Sequence, residues 1–122
     1  MKALTPLEQA RSAVAASRTR PATAILFDEP DARLVVFRIS AGQSVAPHRN
    51  PSTVMLSVLQ GEGFVSGADG ERACRAGDLF TFEPNEIHGM RAEVAELFLM
   101  ATITPRPGAR PLQLAHAMEE SR

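Results

Sequence analysis

From Ala22 to Thr104 the chain alternates short apolar runs with Gly, Pro, Asn and Asp clusters, and no run shows the 3.6-residue period of an amphipathic helix. Ala24-Ile25-Leu26-Phe27 is followed by the turn cluster Asp28-Glu29-Pro30-Asp31. Arg33 to Ser40 is rich in β-branched and aromatic residues, and Gly42 to Pro51 reads as a loop bearing His48. Ser52 to Gln60 reads as a strand ended by Gly61-Glu62-Gly63. Phe64 to Ser66 and Glu71 to Arg75 flank a Gly67-Ala68-Asp69-Gly70 hairpin turn. Leu79 to Phe82, Met90 to Ala92 and Leu97 to Thr104 follow, separated by Gly77-Asp78 and the loop Glu83 to Glu86. About eight strands without intervening helices predict an antiparallel sandwich or barrel.

The last strand adds a condition. Leu97, Leu99, Ala101 and Ile103 occupy one alternating face and Phe98 and Met100 the other, so both faces need cover. A small barrel leaves its outer face bare, and either the N-terminal segment or a second subunit must supply the outer layer. The N-terminal segment has the right start. Thr5-Pro6-Leu7-Glu8 is a helix-entry signature, and Leu7, Ala10 and Val14 recur at helical spacing before the segment closes at Arg18 to Pro21. The chain therefore divides into an N-terminal helical arm (1–21), a barrel (22–104) and a tail (105–122) with Pro105, Pro107 and Pro111, in which Leu112 to Met118 reads as a short helical turn and His116 as a surface residue.

With 122 residues there is room for one core. A net charge of -1 supplies no field to recruit nucleic acid or an anionic membrane, so neither partner is expected. No apolar stretch is long enough for a membrane helix, and Glu8, Arg11, Arg18 and Arg20 interrupt any secretory signal, which predicts a cytoplasmic protein. Cys74 is the lone cysteine, so no internal disulfide or multi-cysteine metal site can form. The aromatic residues are six Phe, with no Tyr and no Trp, and there are three His.

Two segments carry candidate chemistry: Gly42 through His48, Asn50, Pro51 and Val54 to Gly61, and Gly77-Asp78 through Pro84 to His88. They resemble the paired motifs of the cupin superfamily, small RmlC-like double-stranded β-helix barrels. There the first motif runs Gly, His-x-His, Glu, Gly, and the second runs Gly-Asp, Pro, His, with four side chains converging on one divalent metal. The resemblance covers residues 33–104 and implies an all-β, antiparallel double-stranded β-helix preceded by a short N-terminal helix. Gly42, His48, Gly61, Gly77, Asp78, Pro84 and His88 match, whereas Asn50 stands at the second His position and Val54 at the Glu position.

The implied metal site is thus degenerate: His48, Asn50 and His88, without a negative ligand, holding a divalent transition metal (Zn, Fe, Mn or Ni) weakly, with waters completing its shell. Asn50 reads equally as a ligand and as the turn residue before Pro51. Glu83 and Glu86 read as solvated loop carboxylates, Glu86 standing within reach of the barrel mouth. Half of every barrel strand faces inward, so Val54, Leu56, Phe80, Phe82, Met90, Phe98 and Met100 are candidates to line a cavity. Two functions follow: a cupin with a weak metal and a small apolar ligand or substrate, or a metal-free small-molecule-binding module. The metal-free sugar epimerases of this fold are implied to need a Tyr acid, which the chain lacks. A homodimer is expected from the apolar strand faces and from the habit of the superfamily.

Overall fold

The computed structural model describes residues 1–108. Its elements are α1 (Pro6–Ser12), β1 (Ala22–Glu29), β2 (Ala32–Ile39), β3 (Ser44–His48), β4 (Thr53–Gly67), β5 (Gly70–Arg75), β6 (Leu79–Phe82), β7 (His88–Arg91) and β8 (Leu97–Thr104). The strands form an antiparallel double-stranded β-helix. One sheet runs β1-β2-β8-β4 with β6 on the far side of β4, and the other runs β3-β7-β4 with β5 beyond. The tail beyond residue 108, including His116 and the stretch Leu112 to Met118, lies outside the described residues.

β4 belongs to both sheets. Its first half, Thr53 to Gly61, pairs with β8 and partly with β6, and its second half, Glu62 to Gly67, pairs with β5 and partly with β7. Gly61-Glu62-Gly63 therefore does not end a strand, as its composition suggested, but bends one. The register slips between Val58 and Gln60, a bulge of the kind that turns a barrel corner. Gly61 has φ +87°, and a Cβ there would fall inside the Glu96 carbonyl oxygen. At Gly63 a Cβ would stand 2.5 Å from the Arg91 carbonyl oxygen. Glycine is required because two backbones approach closely at the bend, not because the strand stops. The Gly77-Asp78 turn is pinned to the same place: Gly77 N–H donates to Val58 C=O and Val58 N–H to Asp78 C=O.

The interior is apolar. Val54, Leu56 and Val58 from β4, Phe82 from β6, Met90 from β7 and Leu97 and Leu99 from β8 are buried together. Phe98 and Met100 are on the opposite face. They do not line the barrel but pack outside it with Ala10, Val36, Leu7 and Leu59, because alternation sends them away from Leu97 and Leu99. α1 covers this outer set, which answers the need for a second layer within the chain itself. Two contacts fasten the helix end: Arg38 Nη1 donates to Arg11 C=O at 2.9 Å, and Arg11 Nε to Gln60 Oε1 at 3.0 Å.

The helix is shorter than its sequence pattern. It stops at Ser12, Thr5 makes no side-chain cap, and Val14 is exposed. Ala-rich turns bury little area, so the helix persists only where Leu7 and Ala10 meet the barrel. The loop expected around His48 is instead strand β3, an edge strand paired to β7.

Replacing Gly61 by Ala is expected to destabilise the fold by about 3 kcal/mol, from the positive φ and the collision with Glu96. Urea unfolding checks it; a loss below about 0.5 kcal/mol would refute the role given to this bend.

Candidate functional site

His48 and His88 are opposed residues of β3 and β7. Directly opposed side chains share a face, and His88 lies two residues before the buried Met90, so both imidazoles turn inward at the barrel mouth. Their ring centroids are 4.4 Å apart with planes tilted 59°. Phe82 stacks on His88, at 4.8 Å and 29°. The pair is asymmetric. His88 is 4% exposed, whereas His48, at the end of its strand, is exposed.

Both rings are oriented by the backbone in the same way. His48 Nδ1 bonds the Ala46 carbonyl at 3.0 Å, and His88 Nδ1 bonds the Glu86 carbonyl at 3.1 Å. A carbonyl only accepts, so each Nδ1 carries a proton, and in a neutral ring Nε2 then keeps its lone pair. Burial pushes the His88 pKa below 6.5, against the pull of the Glu86 carbonyl, and a charged His48 would push it down further. At neutral pH the buried ring is therefore uncharged and offers an acceptor.

The other predicted ligand positions behave differently. Asn50 is not on a strand with His48; β3 ends at His48 and β4 begins at Thr53. Its Oδ1 accepts the Ser52 N–H at 2.9 Å and its carbonyl accepts the Asn85 N–H at 2.7 Å, so Asn50 forms a turn and ties the two motif loops together. Val54 is buried among core alkyl groups beside its strand partner Phe82. The Glu86 carboxylate is engaged within its own loop: its Oε1 accepts the Glu83 N–H at 3.0 Å. Among the described residues no group of three or more His, Cys, Asp or Glu side chains is placed to hold a metal. The donors that the cupin metal motif calls for are thus incomplete here: two imidazoles, one amide already engaged, and an alkyl group where the carboxylate would be.

Of the predicted lining residues, Val54, Leu56, Phe82 and Met90 are buried in the interior and Phe80 packs against them. Beside the histidine pair a cleft of about 240 Å³ opens along the seam between β5 and β6, lined by Val65, Arg72, Phe80, Phe82 and Glu86 among others. Arg72 was not among the residues singled out from the sequence. Its signal was there: it lies two residues before the buried Cys74 on one strand, and so shares the inward face.

A family profile described as the AraC-like ligand binding domain matches residues 33–116. No curated protein sequence matches. Among solved structures, an uncharacterized conserved protein with a double-stranded β-helix domain from Klebsiella pneumoniae aligns at TM-score 0.75 with 20% identity, over 89% of this chain and 94% of its own. An RmlC-like cupin protein from Desulfovibrio desulfuricans aligns at 0.72 with 25% identity, over 86% and 97%. A predicted oxalate decarboxylase from Thermotoga maritima aligns at 0.66 with 22% identity, over 70% and 81%. These likenesses establish the double-stranded β-helix and, since proteins of different chemistry share it, leave the chemistry to the site.

The depressed pKa of His88 has a consequence for stability. Below pH 6.5 the unfolded chain takes up a proton that folded His88 resists, so stability falls as pH drops through 6.5 and levels off below the folded pKa. An NMR titration of the His88 ring should show a midpoint below 6.5, and His88→Asn should flatten this part of the stability profile. A midpoint at or above 6.5 would contradict the assignment.

Proposed function

The chain belongs to the AraC-like ligand-binding domains, a family with the cupin fold, and from that premise we propose that its barrel mouth binds a small organic molecule at the His48–His88 pair without requiring a metal. The observation that carries this reading is the arrangement of the pair: two inward imidazoles, each held by a backbone carbonyl at Nδ1 with Nε2 left to accept, beside the flat apolar face of Phe82. An apolar recess with a few oriented polar groups is the usual form of a small-molecule site. The ligand it fits has an apolar body and an O–H or N–H donor for Nε2.

A second reading rests on the same hydrogen bonds. A backbone carbonyl on Nδ1 is also the arrangement that prepares Nε2 for a metal. In this reading His48 and His88, with waters, hold a divalent transition ion weakly, since Asn50 is engaged in its turn; no carboxylate joins the two rings, and Val54 excludes a further oxygen. When bound, the ion would supply Lewis acidity at its open positions.

We also infer a homodimer in the cytoplasm. β1 ends one sheet with an unpaired outer edge among the described residues and a 58% exposed Ile25, the kind of edge that a second copy covers. Sedimentation velocity should show a dimer; a monomer at working concentration would refute it.

The two readings separate in one experiment. Hydroxyl-bearing aromatic molecules should perturb the His88 ring resonances and raise the melting temperature in the presence of a chelator, and His88→Ala should weaken this binding about tenfold, the loss of one buried hydrogen bond. Binding that vanishes with the chelator overturns the metal-free reading. For the metal reading, Zn²⁺ or Ni²⁺ should stabilise the wild type and not His88→Ala; equal stabilisation of both refutes it.

A further inference from the structure

Arg72 is out of place by the logic of the barrel. It opposes Val65, as Cys74 opposes Gly63, so its side chain lies on the inward face with Val65 and Cys74 rather than on the outer face with Phe64 and Ala73. The inward positions of β4, β6 and β8 are apolar, and the charged inward residue Arg33 on β2 is taken up by Asp28 at 3.1 Å. On the outer face Arg91 is paired with Glu71 and Glu93 and sits over the Phe64 ring. Arg72 has no ion pair or side-chain hydrogen bond among the described residues. It is an exposed residue that lines the seam cleft of about 240 Å³ between β5 and β6. That cleft adjoins the histidine pair: it shares Phe82, whose ring stacks on His88, and Glu86, whose carbonyl orients it.

An unpaired guanidinium facing a recess with aromatic walls is suited to a planar oxyanion, which it grips through two parallel N–H bonds. The volume fits on the order of ten non-hydrogen atoms at roughly 20–30 Å³ each. The other charged side chains of the cleft, Asp69 and Glu86, are carboxylates. They disfavour a second negative charge on the ligand.

We propose that Arg72 is the specificity-determining residue of the site, and that it selects a small monocarboxylate whose apolar body lies against Phe80 and Phe82 and whose hydroxyl donates to Nε2 of His88. This rests on the ligand-binding reading given above and adds the charge class of the ligand.

Matched probes test it: 4-hydroxybenzoate against 4-hydroxybenzamide, titrated into the wild type, Arg72→Met and Arg72→Lys with the His88 ring resonances as readout. The wild type should bind the carboxylate at least about tenfold more tightly than the amide, Arg72→Met should lose that preference, and Arg72→Lys should keep part of it. Arg72 is exposed at a sheet edge, so the Met variant is expected to keep the wild-type melting temperature; should it unfold, the wild-type comparison and the Lys variant decide. Equal binding of the two probes by the wild type, or an unchanged preference in Arg72→Met, overturns the role of Arg72 and leaves the ligand-binding reading standing. If neither probe binds and no hydroxyl-bearing aromatic perturbs His88, both fall together.

Discussion

The bend of β4 is the constraint on which the barrel depends. A strand that pairs in one sheet and then in the other forces the sheets to face each other, and it can turn only where a bulge and a close backbone approach are tolerated. Gly61 and Gly63 permit that approach, and the Gly77-Asp78 turn is hydrogen-bonded to Val58 at the same corner. Everything that defines the site lies to one side or the other of this bend. Val54, paired with Phe82, precedes it; Val65, paired with Arg72, follows it.

The site owes its chemistry to an uneven distribution of water. His88 is buried with the Phe82 ring stacked on it, while His48 is exposed, and the same backbone device holds both rings. Burial keeps the inner imidazole neutral and makes it an acceptor. With alkyl groups where a carboxylate would stand, charge on a bound partner is not compensated from within the barrel. The charge available for recognition is instead at the seam, on Arg72.

Much of this was legible in the residues. The turn clusters marked the strands, and Gly42, His48, Gly77-Asp78, Pro84 and His88 marked the cupin framework and the histidine pair. Alternation along β8 required two layers, and the helix that covers the outer one was written at Thr5-Pro6. The failures share a cause. Gly61-Glu62-Gly63 looks the same whether a strand ends or bends, and Asn50 before Pro51 suits a turn as well as a ligand. Phe98 and Met100 are as apolar as their neighbours, so composition does not say which face of β8 is inside. Arg72 went unnoticed because a charged residue in a hairpin is usually solvated; only its pairing with Val65 shows which way it points.

The sequence by itself determined the class of fold, the order of its strands and the two histidines, because turn chemistry and alternation are local properties of the chain. Tertiary structure decided that His48 and His88 meet across a ladder, that Asn50 is occupied by its own turn, and that an arginine shares the interior face without a described partner. Those depend on register between strands far apart in sequence. A slip of one residue there exchanges inside for outside, and no local preference of the chain specifies it.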